Sequence, residues 1–258
     1  MNKLHIYKYD LHIHTALSPC GDDDMTPNNI VNMAMIKKRD IIAVTDHNTC
    51  GNARAVMEAA ERIPGAPVTV PGMELTAAED VHVLLYFPEI NAAESFEREV
   101  VIPRHAFTMN REDIFGKQLY MDSSDSVTGI EERLLVSATD ISIDELPGLI
   151  EDYGAVIVPA HIDKEANGLL AMLGTMPEKA GFHAVEIFDH EKEKSLIKAH
   201  SLGGIPVLKN SDAHYLWDII EETDGIDSVF STSCIIDSAR DFISMIKSHE
   251  MFSQRGIS

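Results

Sequence analysis

YDLHIHT, residues 9–15, is the most informative stretch of this chain, because it combines strand character with a closely spaced pair of histidines. Successive side chains of a β-strand point to opposite faces, so Asp10, His12 and His14 are predicted to share one face, opposite Leu11 and Ile13. Two imidazoles one pleat apart can hold a metal ion, and a carboxylate on the same face can orient one of them. The pattern alone also fits two half-exposed polar residues, so the metal interpretation depends on the rest of the chain.

Several later stretches place polar groups beside short apolar runs. They are DIIAVTDHN (40–48), VPGME (70–74), DVHVLLYF (80–87), AVIVPAH (155–161) and IPVLKNSDAH (205–214). Unbroken apolar runs of strand length are typical of strands covered on both faces. Functional groups gathered at the carboxyl ends of strands are typical of α/β barrels and open α/β sheets. The pattern therefore predicts an α/β protein with a metal site at that edge.

The composition favours one acidic domain. A chain of 258 residues can bury a substantial core, and a single barrel-sized domain is the simplest division. With 21 Lys and Arg against 42 Asp and Glu, the formal net charge is −21. Such a charge repels polyanions, so long duplex nucleic acid is predicted to be a poor partner. A small phosphorylated substrate remains compatible, because bound divalent ions can reverse the local sign of the charge.

The cysteines and the apolar segments indicate a compartment. Cys20, Cys50 and Cys234 are widely separated and form no CxxC pair, which favours a reducing environment over a disulfide scaffold. No stretch has the length of a signal-peptide core or of a membrane span. We therefore expect a soluble, cytoplasmic protein without a membrane partner.

Predicted helices and strands alternate along most of the chain. Strands are predicted near residues 41–45, 68–70, 81–87, 155–159, 184–188 and 205–208, and helices near 27–38, 53–62, 92–101, 142–153, 192–202 and 239–249. Residues 103–141 break this rhythm, since they are polar and weakly periodic. Fewer than 40 residues are too few for an independent core, so this segment is interpreted as an insertion or lid within a single domain spanning 1–258.

Six features follow one another from Asp10 to His214. They are DLHIHT (10–15), AVTDHN (43–48), Glu74, the strand carrying His82, PAHID (159–163) and NSDAH (210–214). In this order they resemble the polymerase and histidinol phosphatase (PHP) family. The resemblance implies an α/β fold, a distorted barrel of seven β/α units, with a trinuclear metal centre at the carboxyl ends of the strands. It also implies phosphoester hydrolysis.

The resemblance further implies which residues bind metal. One ion is assigned to His12, His14, Glu74 and Asp212, a second to Glu74, His82 and His161, and a third to His47, His214 and Asp22. Asp22 is the least direct of these, because Pro19 and Cys20 stand where many relatives have Asp or His, and Cys20 and Asp23 are alternatives. Glu74, Asp212 and His161 are the predicted catalytic residues. His82 lies within an apolar strand and could instead be a hydrogen-bonded core histidine.

Other polar residues are assigned supporting roles. Asp46 and Asp10 are predicted to orient neighbouring histidines, although Asp10 could simply cap its strand. Lys209, Arg111 and Lys164 are candidate phosphate ligands, with ordinary solvated charges as the alternative for the last two. Glu186 is interpreted as a buried hydrogen-bonding group or a site residue.

The donor set indicates a reaction class. Mixed imidazole and carboxylate ligands suit two or three divalent ions of Zn, Mn or Fe, with Mg also compatible. Paired ions can supply a bound hydroxide at neutral pH and clamp a phosphoryl group. The leading hypothesis is a phosphoesterase acting on a small phosphomonoester such as a nucleoside bisphosphate or a short 5′-phosphorylated oligonucleotide. A histidinol-phosphate-type phosphatase, a metal amidohydrolase and a non-catalytic metal-binding module are the alternatives.

Overall fold

The computed structural model describes residues 4–177, 181–221, 228–248 and 252–253. Its first half contains β1 (His5–Ile13), α1 (Pro27–Ile36), β2 (Ile41–Val44), α2 (Ala53–Glu61), β3 (Val68–Thr76), β4 (His82–Tyr86), α3 (Ile90–Phe96), α4 (Ile102–Arg104), α5 (Glu112–Phe115), β5 (Leu119–Met121) and β6 (Val127–Ile130). Its second half contains α6 (Leu146–Ile150), β7 (Val156–Pro159), α7 (Leu169–Leu173), β8 (Val185–Glu186), α8 (Glu193–Ala199), β9 (Val207–Leu208), β10 (Val229–Thr232), α9 (Ala239–Lys247) and β11 (Phe252–Ser253). A π-helical turn, Glu97–Val101, joins α3 to α4.

A strongly curled, mixed sheet forms the centre of the molecule. Its strand order is β11-β10-β1-β2-β3-β4-β7, and β8 pairs with β9 as a separate parallel pair. The strands β1, β2 and β3 are parallel, whereas β4 is antiparallel to both β3 and β7. The amide of His183 donates to Ile157 (3.0 Å), and the amide of Ala213 donates to the carbonyl of His12 (3.0 Å). These bonds continue the curved surface from β7 past β8 and β9 towards β1.

The prediction of a mixed α/β fold is confirmed, and the curled sheet is consistent with a distorted barrel. Seven regular β/α units are not observed. Five residues, 77–81, join β3 to β4 without a helix, so these two strands form a hairpin. The sequence also did not predict β10, which pairs with the first half of β1.

The reversed direction of β4 explains how His82 reaches the functional edge. His82 is the first residue of β4, and it pairs with Thr76 at the end of β3. An antiparallel strand begins at the edge where its neighbour ends, so a residue at the start of β4 lies beside the carboxyl ends of the parallel strands.

Two apolar clusters cover the two faces of the sheet. One packs helices such as α1 and α2 against residues including Ile13, Ile42 and Met73. The other joins inward-facing residues such as Leu11 to Phe242 and Ile246 of α9. Leu11 and Ile13 therefore lie in different clusters, and a register shift between Asp10 and Ile13 accounts for this. The predicted strict alternation along β1 is wrong at this point.

Local sequence signals placed several helices correctly. The side chain of Thr26 accepts from the amide of Asn29, and Pro27 occupies the first turn of α1, which are common features at the start of a helix. The predicted helix over 142–153 is much shorter, since α6 begins at Leu146 and a 3₁₀ turn follows it. Residue 249 of the last predicted helix lies outside the described residues. No helix in the described part of the chain has both the length and the apolar character needed to cross a membrane.

Two buried side-chain amides, Asn48 and Asn52, connect the 103–141 segment to the barrel, and a third, Gln118, bonds within the segment. Asn48 donates to the carbonyls of Leu135 (2.6 Å) and Ser137 (2.9 Å). Asn52 donates to the carbonyl of Leu119 (2.9 Å), and Gln118 accepts from the amide of Leu135 (2.9 Å). These contacts favour a fixed wall over a mobile lid, although the single-domain interpretation stays a prediction.

Candidate metal centre

Glu74 lies at the centre of a cluster of histidines. Glu74 lies near the end of β3, and it is 1% exposed. Five imidazole nitrogens lie within 3.3 Å of its oxygens: His12 Nε2 (3.3 Å), His14 Nε2 (3.3 Å), His47 Nδ1 (3.0 Å), His82 Nδ1 (2.9 Å) and His161 Nε2 (3.1 Å). The structure therefore brings together residues that are up to 149 positions apart, since 161 − 12 = 149.

Asp212 and His214 complete the cluster from the loop after β9. Asp212 Oδ1 lies 3.2 Å from Nε2 of both His12 and His14. The ring of His214 stacks on that of His14 at a centroid distance of 4.3 Å. Asp212 (φ 54°) and His161 (φ 28°) have left-handed backbones, which are uncommon for residues with a side chain. Such conformations are held by their surroundings and concentrate at functional sites.

The donor atoms fit divalent cations. Among the described residues, three overlapping groups could each hold an ion: His12, His14, Glu74 and Asp212; His47, Glu74 and His82; and His14, His47 and His214. Glu74 Oε2 and His47 Nδ1 are buried and lie 3.0 Å apart, yet neither makes a hydrogen bond of acceptable geometry. His161 Nδ1 is also buried without a partner. Buried lone pairs that face one another without a proton between them are the arrangement that a cation satisfies.

Burial and charge set the protonation of the outer ligands. Burial lowers the pKa of His47 to about 4 and that of His214 to about 3, so both imidazoles are neutral at pH 7. Burial alone would raise the pKa of Glu74, but the surrounding histidines His82, His12 and His47 hold it well below its ordinary value. Neutral imidazoles and ionised carboxylates are the forms that bind metal.

His12 of β1 and His14, which directly follows this strand, differ from these histidines in protonation. Burial disfavours their charged forms, but nearby carboxylates more than compensate. Hydrogen bonds that His14 donates to Asp212 and Glu74 raise its pKa to about 9, and the charges of Glu186, Asp212 and Glu74 raise the pKa of His12 well above its ordinary range. A proton and a metal ion therefore compete for the same nitrogens.

Asp46 orients His14 through a serine. Ser18 Oγ lies 2.9 Å from His14 Nδ1 and donates to Asp46 Oδ1 (2.7 Å). Asp10 has a different position. Its carboxylate accepts from the amides of Ser211 (3.1 Å) and Ile220 (3.0 Å), so it anchors the loop that carries Asp212, and its bond with His12 is to the backbone.

The amide of Asp22, the predicted third-ion ligand from the loop after β1, donates to the carbonyl of His214 (2.9 Å), but its carboxylate belongs to none of the three donor groups found among the described residues. Asp22 Oδ1 accepts from the amide of Asp24 (2.9 Å), which closes a local turn. Asp23 pairs with Lys117 (2.8 Å), and Cys20 is exposed. The structure offers His14 beside His47 and His214 in place of a loop carboxylate. Asp22 as a ligand stays a prediction.

Only one of the three predicted phosphate ligands lies at the cluster. Lys164 Nζ is 2.5 Å from Asp212 Oδ2 and 4.4 Å from the centre of the Phe188 ring. Lys209 Nζ is 3.3 Å from a Glu193 carboxylate on α8. Arg111 is exposed and pairs with Asp113 on α5, two residues away.

Sequence reasoning missed two residues that touch the ligands or their partners. Ser18 lies between His14 and Asp46, and Asn210 donates to Glu186 Oε2 (3.2 Å). A serine four residues after a histidine carries no distinctive signal. Asn210 was visible as the first residue of NSDAH, but its role depends on the neighbouring strand β8.

No family model matches this chain, and no curated protein matches its sequence. Comparison with solved structures gives clear matches in fold. Endonuclease Q from Pyrococcus furiosus, described as a lesion-specific endonuclease, superposes with a TM-score of 0.68 at 18% identity, over 95% of this chain and 56% of the other. A second endonuclease Q structure is a complex with a 27-mer duplex substrate with an abasic lesion at the active site. It superposes with a TM-score of 0.67 at 18% identity, over 95% of this chain and 57% of the other. The chain thus spans little more than half the length of these proteins.

Two further structures carry descriptions of a phosphoesterase. A putative metal-dependent phosphoesterase from Bifidobacterium adolescentis has a TM-score of 0.54 at 20% identity, over 83% of this chain and 93% of the other. A two-domain protein from Bacteroides vulgatus is described as containing a predicted PHP-like metal-dependent phosphoesterase. It superposes with a TM-score of 0.55 at 14% identity, over 96% of this chain and 64% of the other. The resemblance to the PHP family is therefore confirmed at the level of the fold.

The prediction that long duplex nucleic acid is a poor partner is wrong. A protein of the same fold binds a 27-mer duplex with the lesion at its active site. Net charge averages over the whole surface, whereas a duplex meets one face, where bound cations and local side chains decide the sign of the potential.

Proposed function

We propose that this chain, which has the fold of the PHP-like metal-dependent phosphoesterases, is itself a metal-dependent phosphoester hydrolase. The observation that carries the proposal is the convergence of five imidazole nitrogens on the buried carboxylate of Glu74, with Asp212 beside it. Structural uses of histidine do not need so many lone pairs at one buried carboxylate. The imidazole nitrogens and carboxylate oxygens of the cluster can bind divalent cations, and bound cations can in turn bind a phosphate group.

Three ligand sets are proposed. The first ion would be held by His12, His14, Glu74 and Asp212, the second by Glu74, His82, His161 and His47, and a third by His14, His47 and His214. Bound divalent ions would supply Lewis acidity, which activates water at neutral pH and neutralises phosphoryl oxygens. The chain itself supplies the neutral imidazoles, the ionised carboxylates and the exclusion of bulk water around them.

Lys164 is proposed to bind the substrate phosphate. Its ammonium group is already at the edge of the cluster, 2.5 Å from Asp212 Oδ2, and its side chain is 28% exposed. It can therefore reach a phosphoryl oxygen that approaches from solvent. A cation in this position neutralises charge that develops on the phosphoryl group.

The shape of the entrance favours a terminal phosphate. His12 and Glu74 are buried, whereas Asp212 (10% exposed) and His214 (25%) line the open side. The 103–141 segment packs on the loop after β1, which lies beside His214: Lys117 pairs with Asp23, Gly116 packs against the carbonyl of Pro19, and the amide of Asp22 donates to the carbonyl of His214. We therefore propose a phosphomonoester substrate, such as a nucleoside bisphosphate, a short 5′-phosphorylated oligonucleotide or a similar small molecule. Cleavage within duplex DNA is the second candidate, favoured by the TM-scores of 0.68 and 0.67 to endonuclease Q.

Phosphate release from a defined panel tests the proposal. The protein loaded with Zn²⁺ or Mn²⁺ is assayed on adenosine 3′,5′-bisphosphate, 5′-phosphorylated RNA, histidinol phosphate, an aryl phosphate and a duplex with one abasic site. We expect turnover of a phosphomonoester, and its loss in Glu74→Gln and His161→Ala. Glu58→Gln on α2, an exposed position, is the matched control and should retain full activity. Inactivity of the loaded protein on the whole panel, or near-normal activity of Glu74→Gln, would contradict the proposal.

A further inference from the structure

Glu186 is a buried carboxylate that none of the proposed ligand sets uses. It lies on β8, is 1% exposed, and places Oε2 3.0 Å and Oε1 3.2 Å from Nδ1 of His12. Its backbone carbonyl accepts from the amide of Ile162 (3.0 Å), directly after His161. Glu186 thus contacts the proposed ligand His12 through its side chain, and its backbone is hydrogen-bonded to the residue that follows the proposed ligand His161.

The contact determines which nitrogen of His12 carries the proton. An ionised carboxylate can only accept, so Nδ1 of His12 must be the donor in this pair. In the neutral ring, the form that binds metal, Nε2 then keeps its lone pair, and it faces Glu74 Oε1 (3.3 Å) and Asp212 Oδ1 (3.2 Å). The carboxylate of Glu186 lies on the opposite side of the ring from that group, so it orients a ligand without being one.

The neighbouring histidine has a weaker version of the same arrangement. His14 Nδ1 meets the hydroxyl of Ser18 (2.9 Å), and the charge of Asp46 lies one hydrogen bond further away. A carboxylate in direct contact increases the basicity of the far nitrogen more than a neutral hydroxyl does. The two histidines therefore differ in donor strength, and His12 is the stronger.

Asn210 fixes the position of Glu186. Its amide group donates to Glu186 Oε2 (3.2 Å), and its carbonyl oxygen accepts from the amide of Leu11 (3.0 Å), next to His12. Among the described residues, the ion pairs of Glu186 involve only His12. A buried carboxylate without a permanent cation is costly, and a divalent ion held through His12 would compensate it.

We propose that Glu186 is a positioning residue that fixes the tautomer of His12 and thereby strengthens divalent-ion binding at the His12, His14, Glu74 and Asp212 group. The proposal rests on the metal centre described under the proposed function. Carboxylates that hydrogen-bond a ligand histidine typically contribute a factor of about 10–100 to metal affinity. We assign that factor to Glu186, and a smaller one to the path through Ser18.

The Zn²⁺ affinity of the 258-residue chain, measured by competition with a chromophoric chelator, tests the proposal. Glu186→Gln preserves the size of the side chain and removes its charge, and should weaken binding of one ion about 10–100-fold. Co²⁺ absorption should shift in the same variant, because the donor strength of His12 changes. Glu193→Gln is the matched control: Glu193 is also buried and pairs with Lys209, outside the cluster, so Zn²⁺ affinity should be unchanged.

The outcomes separate this proposal from the proposed function. If the unmodified chain binds no Zn²⁺, the metal centre itself is refuted. If it binds Zn²⁺ and Glu186→Gln binds with the same affinity and Co²⁺ spectrum, only the role of Glu186 is refuted. Glu186→Asp retains the charge and should recover part of the affinity, and it decides the question if Glu186→Gln does not fold. Equal weakening in Glu193→Gln would also overturn the proposal.

Discussion

One buried amide side chain, that of Asn52, connects two segments beside the metal centre. Asn52 is fully buried and uses every atom of its amide. Its nitrogen donates to the Thr15 hydroxyl (2.9 Å) and to the Leu119 carbonyl (2.9 Å), and its oxygen accepts from the amide of Met121 (2.9 Å). It thereby joins the loop after β1 to β5. The bond to the Thr15 hydroxyl holds the residue directly after His14.

Asn52→Ala should destabilise the protein by about 2 kcal/mol or more, because it leaves a buried amide and a buried carbonyl without partners. Urea unfolding gives the free energy of unfolding of each variant. Asn32→Ala on the exposed side of α1 is the matched control and should change this free energy by less than about 0.5 kcal/mol. Equal stability of the two variants would show that the amide of Asn52 does not connect the segment to the barrel.

The residues that carry chemistry were more predictable than the residues that hold them. His12, Glu74 and His161 stand out because imidazoles and carboxylates beside apolar runs have few structural uses. Asn52 and Ser18 do not, since their hydrogen bonds join segments that only the folded chain brings together. A polar side chain that bonds the backbone of a distant loop leaves no periodic signal in the sequence.

At the scale of elements, the hairpin β5–β6 is supported by one charged group. Glu131 accepts from the hydroxyl of Tyr120 (2.8 Å), from the amide of Arg133 (2.8 Å) and from the guanidinium of Arg133 (2.9 Å). Burial would raise the pKa of Glu131, but the bonds from Arg133 and Tyr120 lower it to about 2. A carboxyl whose pKa is depressed stabilises the fold above its ordinary pKa and loses that contribution as the pH falls.

Glu131→Gln should therefore lower the Tm at pH 7, and the difference from the unmodified chain should shrink between pH 4.5 and about 2. Thermal unfolding followed by circular dichroism across this range measures the difference. The exposed neighbour Glu132→Gln is the control, with little change at any pH. A difference that is constant with pH would mean that the ionised form of Glu131 does not stabilise the hairpin.

Elements with strong periodicity were predicted well, and reversals of direction were not. The helices α1 and α2 follow their apolar stripes, α1 also begins at its Thr26 cap, and β2 and β7 follow their apolar runs. The direction of β4 follows from its antiparallel pairing with β3 and β7. An apolar run such as VLLY predicts a strand but does not indicate whether the strand is parallel or antiparallel to its neighbours. The hairpin β5–β6 was missed because its strands are short and β6 is mostly exposed.

At the scale of the molecule, the metal centre joins elements that are otherwise far apart in the chain. Its ligands come from β1 and the residue directly after it, from β3 and β4, and from the loops after β2, β7 and β9. The formal net charge of −21 opposes compaction, and the carboxylates of the centre add to this repulsion locally. Bound cations would relieve the repulsion and cross-link six segments, so the stability of the whole fold should depend on metal.

Loading with Zn²⁺ should therefore raise the Tm of the protein, and chelation should lower it. A ligand at about 1,000 times its Kd stabilises the folded state by about 4 kcal/mol. For a domain of this size that corresponds to a Tm increase of about 10 °C. Differential scanning calorimetry at several Zn²⁺ concentrations measures the shift. Glu74→Gln should lose most of it, since Glu74 contacts five of the histidines, whereas Glu58→Gln should retain it. A Tm that does not respond to Zn²⁺ in the unmodified chain would mean that the buried cluster is held by its own hydrogen bonds and not by cations.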